Sequence, residues 1–205
     1  MPQEPISGNI HQTHSKNPFA VFAHQPEGVS FAGQEKDEKI ILLLRPHLIT
    51  LVPALFIIIV LLLAPVYVVP FLGLLGIDFR QSLNFIQSFL LTLVWYMFIF
   101  AYSFYRFIFW YFNIYLLTNE RIIDFDFRGI LHKETSYAPL GQIQDVSPKT
   151  IGFFGTFFHF GDVFIQTAAH KPEFEFHQVA RPNEVADEIL VEVRKEEAEP
   201  PGVVA

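Results

Sequence analysis

The chain has 205 residues, no cysteine and a net charge of −7 at pH 7, and about half of its residues are apolar. Without cysteine it has neither disulfides nor thiolate metal sites, and its length allows one membrane hairpin and one small folded domain. From Asn113 onward eight Lys/Arg stand against fifteen Asp/Glu, whereas the earlier part is balanced at six of each, so the folded part is acidic and nucleic acid is excluded as a partner.

Residues 1–34 are rich in Pro, Gln, His, Ser and Asn without sustained periodicity, which predicts a disordered N-terminal tail with Phe19 and Phe22 as docking candidates. Residues 35–112 read as a membrane hairpin. Glu35 to Lys39, Ile40 to Leu44 and Arg45-Pro46-His47 form its polar collar. Two stretches without a charged residue follow, Leu48 to Ile77 and Gln81 to Tyr105, separated by Asp78-Phe79-Arg80. About 20 apolar residues cross the roughly 30 Å of hydrocarbon, so the predicted helices run over about 47–70 and 82–109. Pro46 suits a first helical turn, and Pro65 and Pro70 predict a kink or an end on the far side. The first stretch is too long and too far from the N-terminus for a cleaved signal sequence and is expected to be retained.

In the second helix Asn84, Ser88, Thr92 and Tyr96 recur every four residues and share a face. That pattern suits a helix–helix contact inside a membrane, with bonding of Ser88 and Thr92 to their own helix carbonyls as the competing reading. Tyr102, Tyr105, Trp110 and Tyr111 surround Arg106, as at a headgroup boundary. Lys36, Lys39 and Arg45 precede the hairpin, Arg106, Arg121 and Arg128 follow it, and the loop offers Arg80 alone. This predicts a multi-pass protein of the cell membrane with both termini cytoplasmic.

Residues 113–195 read as a cytoplasmic domain, because the period changes to two. Ile123, Phe125 and Phe127 alternate with Asp124 and Asp126, Arg128-Gly129 turns, and Ile130 to Tyr137 runs back. Gly161-Asp162 opens a strand carrying Val163 and Ile165, and Glu173 to His177 alternates strictly. Pro182 opens an amphipathic helix with Val185, Ile189 and Val193 spaced by four, and residues 196–205 are expected to be a disordered tail.

No nucleophile elbow, phosphate loop or dinucleotide fingerprint is present, and no cofactor is expected. His159, His170 and His177 with Asp162 are residue types that suit zinc, but they lack ligand spacing on a common element, so no metal is expected; His11 and His14 lie in the tail. Asp145 and Asp162, near Gln142 and Gln144, read as turn-capping residues and not as an acid–base pair.

The run Tyr115 to Ile123, with Thr118-Asn119-Glu120-Arg121 at its centre, is followed by Arg128-Gly129-Ile130, by Pro139 to Val146 and by Gly161 to Thr167. Together with Glu38 to Pro46 and the hairpin, these resemble the membrane-flanked bacterial pleckstrin-homology-like family, sometimes called YdbS-like, over roughly residues 35–194. The resemblance implies an α+β fold in which two transmembrane helices are followed by a seven-stranded, strongly bent antiparallel barrel or sandwich with one C-terminal helix. It implies no catalytic residues. Pleckstrin-like folds also suggest phosphoinositide recognition through clustered Lys and Arg, but Asn119-Glu120-Arg121 sets one cation beside one anion, a poor phosphate clamp.

Where basic residues would be expected, Phe153, Phe154, Phe157, Phe158 and Phe160 stand instead. Two readings follow: a surface lying against the bilayer or the hairpin exit, or a short helix that completes the core. The expected role is a non-enzymatic membrane-anchored module that binds a protein or copies of itself, with Arg121, Gln142, Gln144 and Asp145 as interaction candidates and turn or barrel architecture as their competing role. The alternatives are an accessory subunit of a larger membrane enzyme or transporter, or a lipid-binding protein. The expected partners are the lipid bilayer and a homo- or hetero-oligomer with membrane proteins.

Overall fold

The computed structural model describes residues 19–76, 83–129, 132–150, 152–168 and 173–198. Its first sheet runs in the order β1 (Phe22–His24), β2 (Ile40–Leu44), β3 (Ile114–Thr118), β4 (Arg121–Gly129) and β5 (His132–Pro139). A second sheet holds β6 (Ile143–Lys149), β7 (Phe160–Thr167) and β8 (Glu173–Ala180), and every pairing in both is antiparallel. Helices α1 (Val52–Leu74) and α2 (Phe85–Phe112) lie between β2 and β3, α3 (Gly152–Phe158) joins β6 to β7, and α4 (Pro182–Ala198) closes the chain.

Four expectations change. Phe22–His24 is a strand and not tail, and Ile40–Leu44 is a strand of the folded domain and not the collar of a helix. Of the barrel or sandwich expected, the closed barrel is absent among the described residues: the strands form two open sheets, with β1 added to the seven strands β2 to β8. The helix predicted to stop near residue 195 continues to Ala198. The hairpin is thus an insertion between two neighbouring strands. Leu44 pairs with Tyr115 and Leu42 with Leu117.

Strand β2 is buried along its whole length because both faces are covered. Leu42 and Leu44 join the main core with Leu117, Ile122, Ile165 and Phe176, sealed by Val185, Ile189 and Val193 of α4. Ile40 and Leu43 point into a second cluster with Leu116 and Ile123, covered by Ala20 and Phe31. A strand buried on both sides reads as a continuous apolar run, so in sequence it merges with the helix that follows.

Twenty-three residues make α1 about 35 Å long and twenty-eight make α2 about 42 Å; both are long and apolar enough to cross a membrane. Pro53, not Pro46, occupies the first turn of α1. Pro46 makes an isolated bridge to Val179, and His47 caps a short 3-10 turn, Leu48–Leu51. Pro65 and Pro70 sit inside α1 without ending it before Leu74. Proline has no N–H, so Pro65 deprives the Leu61 carbonyl of its helical donor. The Trp95 indole on α2 donates to that carbonyl at 3.1 Å, a repair that matters where no water can substitute. Asn84 caps α2 through a reciprocal pair of bonds with Gln87, 2.8 and 3.1 Å.

At the base of the hairpin the Trp110 indole donates to the Pro46 carbonyl at 2.7 Å, and Arg45 donates to the carbonyls of Tyr111 and Ala20. The His47 N–H donates to the Gln178 carbonyl at 2.7 Å. Gln178 reaches that position through a left-handed conformation, φ 51°, at a bulge in β8, and its own N–H goes to Asp162 at 2.7 Å.

Two outcomes follow. A fragment beginning at Asn113 lacks β2 and is expected not to fold, whereas residues 19–44 joined to 115–198 by an Asn-Gly turn are expected to unfold cooperatively, as circular dichroism melts will show. Trp95→Phe is expected to destabilise the detergent-solubilised chain by about 1 kcal/mol. In a Pro65→Ala background, where the alanine N–H supplies the missing donor, the same substitution is expected to have a much smaller effect, a comparison read by a double-mutant cycle.

Candidate functional site

The Thr118-Asn119-Glu120-Arg121 turn joins β3 to β4, and its side chains face the segment that precedes the hairpin. Arg121 grips the Glu38 carboxylate with two bonds, Nε to Oε1 at 2.9 Å and Nη2 to Oε2 at 2.7 Å, and Nη2 also donates to the Gly33 carbonyl at 2.9 Å. The Thr118 hydroxyl donates to Glu38 Oε1 at 2.9 Å, and Asn119 Oδ1 accepts the Lys39 N–H at 2.7 Å. The guanidinium packs between the rings of Phe31 and Tyr137. The Glu38 side chain is fully buried. Burial alone raises a carboxyl pKa, but the bonds from Arg121, the Glu35 N–H and Thr118 outweigh it and hold Glu38 below the ordinary glutamate value. The bond to Glu38 raises the Arg121 pKa in turn. Arg121 is therefore engaged within the chain, as a clamp between its two halves.

The other interaction candidates lie apart from this clamp. Gln142 ends a short 3-10 turn, Leu140–Gln142, and its carbonyl accepts the Ala168 N–H; Gln144 and Asp145 are exposed on the edge strand β6, where Asp145 accepts the Ser147 hydroxyl at 2.9 Å. In α2, Asn84 is the cap, Ser88 is half-covered, and Thr92 and Tyr96 are exposed. On the same helix Trp95 bonds to α1 and Ile99 is buried; Thr92 stands seven residues from Ile99, on nearly the same face.

The phenylalanine cluster is on α3. Phe153, Phe154, Phe157 and Phe158 are all exposed, from 43% to 76%, which removes the core-filling reading for these four. Buried Gly155 turns α3 toward β7, where an added Cβ would lie 3.1 Å from the Phe160 carbonyl. Gly161 is similarly confined, its Cβ position 2.5 Å from the Lys149 carbonyl. The four rings stack and cross one another at centroid distances of 5.0–6.5 Å. Phe160, two residues on, stacks on His47 at 5.4 Å, so α3 stands beside the point where the chain enters α1. Burial lowers the His47 pKa, and the neutral ring accepts the Ile49 N–H at 3.2 Å.

Of the histidines considered for metal binding, His177 and Asp162 come together with Glu175, their ligating atoms within 4.8 Å of one another. Asp162 already accepts the Gln178 N–H, and His177 Nδ1 lies 3.2 Å from Glu175. His159 is elsewhere, in the turn after α3, and His170 lies outside the described residues. The buried Tyr115 hydroxyl accepts the His177 N–H, and burial pushes the phenol pKa up.

Two antiparallel sheets and a closing helix around the main core define a pleckstrin-homology-like domain, here interrupted by an apolar hairpin. The family described as bacterial PH domain matches residues 41–193, from within β2 to within α4, and the chain belongs to that family. The class is generally non-catalytic. No curated protein matches the chain. The chain is similar to a crystal structure of a DUF1696-family protein with a pleckstrin-homology domain from Shewanella loihica PV-4, at 20% identity over 40% of this chain and 68% of that one. The TM-score is 0.29.

The clamp sets a pH dependence. The Glu38 pKa is depressed by folding, so its stabilisation is complete above the unfolded value and is lost as pH falls through the folded one. Arg121→Ala leaves a buried carboxylate unpaired and is expected to lower stability at pH 7 by about 3 kcal/mol. Glu38→Gln is expected to flatten the acid side of the melting-temperature profile, read by thermal melts of the full chain from neutral pH downward.

Proposed function

We propose that the protein is a non-enzymatic module of the cell membrane, anchored by α1 and α2 with both termini cytoplasmic, whose PH-like domain sits on the leaflet and assembles with another protein or with further copies of itself. The observation that carries this reading is the position of α3. Four exposed phenylalanines beside the start of α1 lie where interfacial burial is available, and each fully buried ring is worth about 1.5–3 kcal/mol. The domain is seated at two kinds of contact, the hairpin base and the α3 rings. Assembly is supported by Thr92 and Tyr96, polar residues exposed on the apolar helix α2. Gln144 and Asp145, exposed on an edge strand, offer a second contact surface.

The chain has no cysteine, so Thr156→Cys places a single polarity-sensitive probe on the exposed side of α3. In proteoliposomes the probe is expected to report an apolar setting that turns aqueous when Phe154 and Phe158 are both changed to Ser; an aqueous signal in the parent chain contradicts the seating. Native mass spectrometry of the chain gently extracted from its membrane is expected to show a defined mass above 23.6 kDa, reduced to the single chain by Thr92→Ala with Tyr96→Ala. A single chain throughout contradicts assembly.

A further inference from the structure

A cleft of about 470 Å³ opens between the hairpin base and the folded domain. Its membrane side is formed by Thr50, Leu51 and Trp110, and α2 contributes Arg106. The opposite wall, from β4 and β8, carries Asp124, Asp126 and Glu175. The volume falls within the ordinary range for small-molecule sites. We propose that this cleft binds the headgroup of a zwitterionic aminophospholipid, its phosphate on Arg106 and its ammonium on the carboxylate wall.

Arg106 is the starting point. It lies within two turns of the domain end of α2, beside Trp110, where an arginine reaches the headgroup layer. Its Nε is buried and has no hydrogen-bond partner, which leaves a charged donor group with a bond to make. A planar guanidinium is suited to the two oxygens of a phosphodiester. The wall facing it has the opposite sign. An anionic lipid with an uncharged headgroup terminus gains nothing from Asp124, Asp126 and Glu175, whereas a primary ammonium next to the phosphate is complementary to them. Position supplies the remaining argument: Trp110 and the 3-10 turn ahead of α1 place the opening at the height where headgroups lie. This site differs from a phosphoinositide clamp, which depends on clustered cations.

The inference rests on the anchoring proposed above, so its test separates the two. The full chain is reconstituted in nanodiscs holding equal phosphatidylethanolamine and phosphatidylglycerol, and retained lipid is read by native mass spectrometry. The expected result is one phosphatidylethanolamine per chain, with retention lowered about tenfold by Arg106→Gln. Glu175→Gln is expected to keep lipid retention but to lose the preference between the two lipids, an outcome that a merely unfolded variant does not give. Preferential retention of phosphatidylglycerol by the parent chain overturns the proposal. So does a chain that enters the nanodisc and retains neither lipid, and that result leaves anchoring intact. A chain that fails to enter the nanodisc overturns both. Soluble glycerophosphoethanolamine is added in a further arm: displacement of the lipid at equal concentration assigns the cleft to a free phosphate ester and overturns the lipid source.

Discussion

The fold depends on closing strand β2 onto β3 across an insertion that contains both long helices. Sheet hydrogen bonds alone would have to hold two segments separated by the whole hairpin, and the chain strengthens that closure with a buried carboxylate. Glu38 cannot stay ionised in the interior without partners, and it has Arg121, Thr118 and the Glu35 N–H. A pair of this kind stabilises less than it specifies: removing either member leaves an uncompensated group, so register and partner are fixed together. The N-terminal residues up to Phe31 then cover the outer face of the sheet, which makes them part of the core they precede.

That closure determines how the hairpin leaves the domain. Neighbouring strands lie about 4.8 Å apart, and α1 and α2 follow from the ends of β2 and β3, so the two helices depart side by side and not through flexible linkers. Arg45, Trp110 and the Gln178 carbonyl fasten the junction on three sides. A helix pair so attached is held in one orientation to the domain, with the Arg106 cleft at its base.

The sequence disclosed the two apolar helices, the period-two strands after Asn113 and the spacing of Val185, Ile189 and Val193, since each pattern repeats over enough residues to stand out. It concealed β2 for a physical reason: Ile40–Leu44 is buried on both faces, loses the alternation that marks a half-exposed strand, and runs directly into another apolar segment. Phe22–His24 is too short to carry a period at all. Arg121 was legible as a notable residue, but its partner Glu38 lies 83 positions earlier on the far side of the hairpin, and no local spacing links them. The exposure of the α3 rings rests on Gly155 facing β7, a contact visible only in three dimensions.

The most direct test of the central claim, a membrane hairpin inserted between adjacent strands of a cytoplasmic domain, is sided labelling of single cysteines in an otherwise cysteine-free chain. Ser82→Cys, ahead of α2 in the chain, and Ser147→Cys, on exposed β6, are treated with a membrane-impermeant maleimide in intact cells and again after lysis. The account predicts that position 82 is labelled in intact cells and position 147 only after lysis. Labelling of both positions in intact cells, or of position 147 alone, contradicts it.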